Sequence, residues 1–136
     1  HHWHDVGQAL REVKRVLKPG GVFIIMDVMS PGHPVRNIWL QTVEALRDTS
    51  HVQNYSSGEW LALITEAGLI TRALITDRLP LEFSSWIARM RTPEALSQAI
   101  RLYQDSASAE VKAYFELQDD GSFTSDTIMA EAQKAA

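Results

Sequence analysis

The chain has 136 residues, of which 45% are hydrophobic and 22% are charged, so it can form one domain with a sizeable core. Its net charge of −4 provides no positive field that would attract nucleic acid or an anionic membrane surface. The absence of cysteine excludes disulfides and thiol chemistry, and no apolar run is long enough to span a membrane, so we expect a cytoplasmic protein.

The segment 5–31 predicts an amphipathic helix, a sharp turn and a buried strand. Apolar residues from Val6 to Leu17 recur at helical spacing, and Asp5 precedes them as an N-cap. Pro19 stops the helix, and the two glycines after it permit a reversal of the chain. The run Val22 to Met29 is apolar except at Asp27, as is typical of a strand inside an α/β sheet. Because ligands bind beyond the carboxyl ends of such strands, 27–32 is the first place to expect a site.

The chain begins with His1, His2, Trp3 and His4, and three histidines in four positions raise the possibility of a metal site. Adjacent residues converge poorly on one ion, and no further ligand stands at the spacing of a known metal motif. We therefore predict no metal site here. An exposed terminus, a residual tag or a pocket-lining loop explains the histidines better.

The rest of the chain predicts further helices, one more exposed strand and no second domain. Ser56 and Glu59 form a capping box ahead of an apolar helical pattern that ends at Gly68. The residues 69–79 favour a strand near a sheet edge, closed by Pro80. Helices are predicted over 34–48, 57–67, 83–90, 93–103 and 108–117. The residues 122–133 are ambiguous, and local propensity alone leans towards a helix there.

The motif Glu12-Val-Lys-Arg-Val-Leu-Lys-Pro-Gly-Gly21, followed by a hydrophobic strand ending in Asp27, resembles the second half of class I S-adenosylmethionine-dependent methyltransferases. The similarity is greatest to the small-molecule branch that includes quinone-biosynthesis and biotin-pathway enzymes. The passage EWLALITEAGLITRALI resembles the same family. The resemblance implies an α/β, Rossmann-like fold in which 22–29, 69–79 and 122–133 are the fifth, sixth and seventh strands. The seventh is antiparallel and lies between the other two, with helices on both faces and a helical cap.

The family also binds its cofactor with a glycine-rich turn after the first strand and an acidic residue after the second. This sequence has neither, since its glycine pair follows a helix and precedes a strand. We therefore expect residues 1–136 to be one domain, the C-terminal portion of the fold, without the cofactor-binding half and inactive alone. S-adenosylmethionine is expected in the complete protein and not on this chain. The fifth strand would then have a free edge, which predicts a homodimer through that edge.

The resemblance also implies roles for individual residues. In relatives, the loop matching His1, His2 and Trp3 lies beside cofactor and acceptor, so either histidine is a candidate base and Trp3 a candidate cofactor contact. Asp27 closes the fifth strand and is a candidate pocket residue, with structural hydrogen bonding as the alternative. The other candidate contacts to a small-molecule acceptor are Met29, Trp39, Trp86 and Met90, for which hydrophobic packing is the competing explanation.

Two other functions remain open on the sequence. The chain could be a non-catalytic oligomerisation or ligand-binding module derived from a methyltransferase. It could also be a fragment of a Rossmann-type oxidoreductase, although a Lys-Pro-Gly-Gly turn ahead of a buried strand is not how a dinucleotide site is built.

Overall fold

The structure, a computed structural model, describes residues 1–136 and contains three strands and six helices. The strands are β1 (Val22–Met29), β2 (Ile70–Leu81) and β3 (Phe123–Gln133). The helices are α1 (Val6–Val16), α2 (Pro34–Arg47), α3 (Ser57–Glu66), α4 (Phe83–Arg89), α5 (Glu94–Asp105) and α6 (Ala109–Tyr114).

The three strands form one sheet in the order β1-β3-β2, and β3 is antiparallel to both neighbours. The ladder places Met26 opposite Met129, and Met129 opposite Ile75. This confirms the α/β fold class and the antiparallel last strand between the other two. It also shows that the helix favoured by local propensity near the C-terminus does not form, because pairing on both sides satisfies the β3 backbone.

Local sequence signals explain how the elements around β1 and β2 begin and end. The Asp5 carboxylate accepts a hydrogen bond from the Gln8 amide at 2.9 Å, as expected for the N-cap of α1. The capping box of Ser56 and Glu59 is present at the start of α3, and Gly68 beyond its end has a φ of 80°. Gly20 also has a positive φ, 78°, in the turn that leads into β1.

One prediction about β2 is wrong: Pro80 does not close the strand, which continues to Leu81. Pro80 lies opposite Thr124 of β3, and β2 is an edge strand with one side unpaired. A proline at an edge has no inward-facing amide to lose, so it is tolerated there.

Helices α1 and α3 pack on one face of the sheet. Leu10 of α1, Trp60 of α3 and Ile25 of β1 belong to one buried cluster, which also includes Ile128 of β3. The second cluster lies among α2, α4, α5 and α6, which form a helical cap at the end of the sheet where β2 ends and β3 begins. It contains Trp39, Leu40, Val43, Leu81, Trp86, Ile100, Val111, Phe115 and Phe123.

The opposite face of the sheet is covered only at its end. By strand alternation, Leu81 and Phe123 belong to this face, and both are buried under the cap. The middle of the face is exposed: Met26 is 74% accessible, Ile75 55% and Ile24 54%. Exposed apolar patches of this kind are typical of interaction or ligand-binding surfaces.

None of the helices is both long and apolar enough to cross a membrane.

An ion-pair network joins the sheet to the cap. Asp126 of β3 is largely buried; it accepts a hydrogen bond from Arg78 Nη1 at 2.9 Å and another from the Tyr114 hydroxyl. Burial, together with this hydrogen bond, raises the pKa of Tyr114 to about 12. The network therefore holds α6 against the edge of the sheet.

We expect Asp126→Asn to destabilise the fold by about 1–3 kcal/mol, because two charge-assisted hydrogen bonds to a buried carboxylate are weakened. Urea unfolding measures the loss, and the exposed turn variant Asp119→Asn is the control, with a change within about 0.5 kcal/mol. The pKa of Tyr114 should fall in Asp126→Asn, which phenolate absorbance reports. Equal stabilities for the two variants would contradict the network.

Candidate active site

The candidate site begins with a histidine-carboxylate pair at the sheet. His1 Nδ1 lies 2.5 Å from Asp27 Oδ1, and the main-chain nitrogen of His1 lies 2.7 Å from Oδ2. The His1 carbonyl accepts hydrogen bonds from the amides of Val52 and Gln53 at 3.0 and 3.2 Å. Because a carboxylate only accepts hydrogen bonds, His1 carries its proton on Nδ1 when neutral, and its Nε2 presents a lone pair.

A second histidine is oriented by a glutamine of α2. The Gln41 amide makes two hydrogen bonds with the backbone of Asn54: its Nε2 donates to the carbonyl at 2.9 Å, and its Oε1 accepts from the amide at 3.0 Å. This pairing fixes which end of the side chain is oxygen. His51 Nε2 lies 2.8 Å from that oxygen and must therefore be the donor. The lone pair is then on His51 Nδ1, which is buried and has no hydrogen-bond partner.

Glu44 completes the cluster from α2. Only 3% of this residue is accessible, and its Oε2 lies 3.9 Å from His1 Nε2. Burial raises the pKa of Glu44, and this effect opposes the nearby Arg47 guanidinium, 3.9 Å from the carboxylate. One ligand atom each from His1, Glu44 and His51 lies within 4.8 Å of the others. Two imidazole rings and a buried carboxylate therefore form one polar cluster.

A cavity of about 380 Å³ opens beside this cluster. It is lined by His1, His2, Trp3, Phe23, Ile24, Ile25, Met26, Asp27 and Trp60. The structure thus brings four of the predicted site residues, His1, His2, Trp3 and Asp27, to one cavity. His2 is more exposed than His1, with 40% against 19% of the side chain accessible, and it has no carboxylate at hydrogen-bond distance.

The four other predicted contacts lie elsewhere. Met29 is buried against α1 and α3, and Met90 follows α4 with 38% of its surface exposed. Trp39 and Trp86 are buried in the cap cluster, where each ring packs on Phe123. None of these four residues lines the cavity beside His1 and Asp27. A role in substrate binding stays a prediction for all four.

Glu44, His51 and Gln41 were missed in the sequence. One signal was available for Glu44: it follows Trp39, Leu40 and Val43 on the apolar stripe of α2, where a carboxylate must be buried. His51 lies in a polar connection, and nothing in the sequence shows that this connection folds back onto His1.

Comparisons with known proteins agree with one another. The family profile described as "Methyltransferase domain" matches residues 1–25. The uncharacterized protein YafE of Escherichia coli (strain K12) is 77% identical over all 136 residues of the chain, which span 66% of that protein. The uncharacterized methyltransferase YcgJ of Bacillus subtilis (strain 168) is 36% identical over 115 residues, 85% of the chain and 46% of the relative.

Two solved structures have the same fold over the whole chain. The crystal structure of YcgJ matches with a TM-score of 0.90 and 34% identity, and 60% of its chain is covered. A protein of Bacillus halodurans C-125, described as a proposed methyltransferase, matches with a TM-score of 0.93 and 26% identity, and 66% of its chain is covered. The chain therefore spans between about half and two thirds of the relatives it matches.

The tautomer of His51 can be tested by NMR. Burial, with a smaller contribution from His2, lowers the pKa of His51 from its ordinary value of 6.5. We expect a titration midpoint below that value and ring ¹⁵N shifts that place the proton of the neutral form on Nε2. Because the folded-state pKa of His51 is lowered, the protein should lose stability as the pH falls from 6.5 through that pKa.

The spectrum of His51→Gln assigns the His51 signals. A neutral form protonated on Nδ1 would contradict the orientation assigned to Gln41, and a midpoint at or above 6.5 would contradict the effect of burial on the ring.

Proposed function

The chain belongs to the class I S-adenosylmethionine-dependent methyltransferase family, and on this premise we propose that it supplies the acceptor side of a small-molecule methyltransferase. The observation that carries this proposal is the pairing of His1 with Asp27, 26 residues later, beside a cavity. The activity is proposed for the longer polypeptide of which such a chain forms part, in line with the greater length of its relatives.

The residues present do not form a complete site for S-adenosylmethionine. Two turns lead from a strand into a helix. The turn between β2 and α4 consists of Glu82 alone, and the turn between β1 and α2 has one positive-φ glycine, Gly32, and a proline at the helix start. Neither is the glycine-rich turn whose backbone amides approach such a ligand closely. Among this chain's residues, Trp3, 43% exposed at the cavity, is our candidate for a cofactor contact. We expect the 136-residue chain alone to be inactive.

His1 is placed to accept a proton from the acceptor. The bound cofactor supplies an electrophilic methyl group on a sulfonium, and the acceptor atom that attacks it must lose a proton. With Nδ1 held by Asp27, the Nε2 lone pair of His1 is free to take that proton, and Asp27 stabilises the resulting imidazolium. Asp27 is thus a positioning residue in this proposal, and His2 is the alternative base.

The acceptor is proposed to be small and partly apolar. A cavity of about 380 Å³ lies in the range of small-molecule sites, and six of its nine lining residues are hydrophobic. The polar groups that could orient an acceptor there belong to His1, His2 and Asp27.

The free edge of β1 supports the proposed homodimer of the 136-residue chain. The strand pairs only with β3, and Ile24 and Met26 expose apolar surface beside its unpaired backbone. Edges of this kind pair with another chain unless they are protected. In a longer polypeptide a preceding strand would occupy the same edge, so the dimer is proposed for this chain alone.

The cytoplasmic location of the protein stays a prediction.

The function can be tested with a chimera in which the upstream segment of the Escherichia coli relative precedes His1. Transfer of labelled methyl from S-adenosylmethionine to a panel of small hydroxy, amino and carbon-acid acceptors is measured. We expect His1→Gln to lower kcat by about 10²–10⁴-fold with little change in cofactor affinity. Asp27→Asn should also lower kcat and shift the acidic limb of its pH profile to lower pH, because the imidazolium loses its partner.

The matched control is His4→Gln, since His4 is exposed and precedes the Asp5 cap of α1. A chimera that binds the cofactor but methylates none of the acceptors would overturn the proposed function. Unchanged kcat in His1→Gln would overturn only the base assignment.

The dimer can be tested on the 136-residue chain by sedimentation. We expect Met26→Lys to yield monomers, because a charge on the exposed edge strand opposes pairing. Leu102→Lys is the control: Leu102 is 71% exposed on α5, away from the sheet, and its variant should remain a dimer. A monomeric parent chain, or dimers in Met26→Lys, would contradict the proposal.

A further inference from the structure

Three side chains of the candidate site, His1, Glu44 and His51, each place a possible metal-ligand atom within 4.8 Å of the other two. His51 Nδ1 is buried without a partner, and Glu44 is buried with its nearest guanidinium 3.9 Å away. His1 Nε2 lies 3.9 Å from Glu44 Oε2, beyond hydrogen-bond distance. A buried lone pair without a donor is costly, and a bound metal ion would satisfy it.

We propose that His1, Glu44 and His51 bind a divalent first-row transition-metal ion. Two neutral imidazoles and one carboxylate, with further coordination positions open, form a common donor set for such ions. The three ligand atoms lie within 4.8 Å of one another, and around a tetrahedral ion they would lie about 3.3–3.5 Å apart.

The second shell of this cluster matches that of a metal site. Ligating histidines usually donate their other ring N–H to a carboxylate or carbonyl oxygen, which fixes tautomer and orientation. Both histidines do so here: His1 donates to Asp27 at 2.5 Å, and His51 donates to Gln41 at 2.8 Å. The amide of Gln41 is held in turn by the backbone of Asn54. The free nitrogen of each ring is therefore set before any ion arrives.

The charge balance also favours a cation. Asp27 and Glu44 place two carboxylates around the cluster, and the Asp27 charge is one of the causes that raise the pKa of Glu44. A divalent ion would offset both the burial of Glu44 and this repulsion. The same ion would occupy the His1 lone pair that accepts a proton in the proposed reaction. Metal binding and base catalysis by His1 therefore exclude each other, and a metal-loaded protein should be inhibited.

The test is titration of the 136-residue chain with Co²⁺, followed by visible d–d absorption, and then displacement by Zn²⁺. We expect one ion per chain and a loss of affinity of at least about 10–100-fold in His51→Gln and in Glu44→Gln. His33→Gln, which removes an exposed histidine outside the cluster, should bind as the parent does. Zn²⁺ should raise the thermal midpoint of the parent and of His33→Gln, but not of the two ligand variants.

Circular dichroism of each variant without metal verifies that it is folded. If Glu44→Gln fails to fold, His51→Gln alone provides the test, because the His51 side chain is only partly buried and its replacement should be tolerated. Co²⁺ binding that persists unchanged in His51→Gln would assign the ion to the terminal amine and neighbouring histidines and overturn the proposal. Absence of binding by the parent chain would overturn it too. These outcomes do not depend on methyl transfer, so they leave the proposed function to its own test.

Discussion

The antiparallel insertion of β3 between β1 and β2 is the constraint on which the structure depends. Its backbone pairs with β2 from Phe123 to Gln133 and with β1 from Asp126 to Gln133. The two outer strands have no contact with each other in the sheet, so without β3 there would be neither a sheet nor a surface for α1 and α3. The eleven residues of β3 therefore join β2 to β1, and β1 ends more than ninety positions before β3 begins.

The candidate site is a product of that assembly. β1 supplies Asp27, α2 supplies Glu44, and the connection between α2 and α3 supplies His51, while His1 approaches from before α1. Hydrogen bonds between Gln41 and the backbone of Asn54 hold this connection against α2. Two amides of the same connection donate hydrogen bonds to the His1 carbonyl. The polar cluster is therefore built on a defined backbone, which is what proton transfer or metal binding requires.

Much of the fold could be predicted from the sequence because its signals are local. The Asp5 cap, the Ser56 capping box and the apolar run of β1 each lie within a few residues and specify an element directly. The C-terminal strand could not be predicted in this way: its residues favour a helix locally, and only the resemblance to a family supplied its place in the sheet. Local propensity predicts secondary structure poorly where pairing with distant strands determines it, as Pro80 within β2 also shows. The pairing of His51 with Gln41 depends on a chain reversal that no local pattern encodes.

We propose that the paired His1 and Asp27 form the acceptor side of a methyl-transfer site at the free edge of β1. A crystal structure of the longer polypeptide with S-adenosylhomocysteine bound would test this proposal most directly. We expect the cofactor sulfur beside the segment His1 to Trp3, with His1 Nε2 facing the space next to it and Nδ1 still held by Asp27. A cofactor bound away from the β1 edge, or His1 and Asp27 separated in the complex, would contradict it.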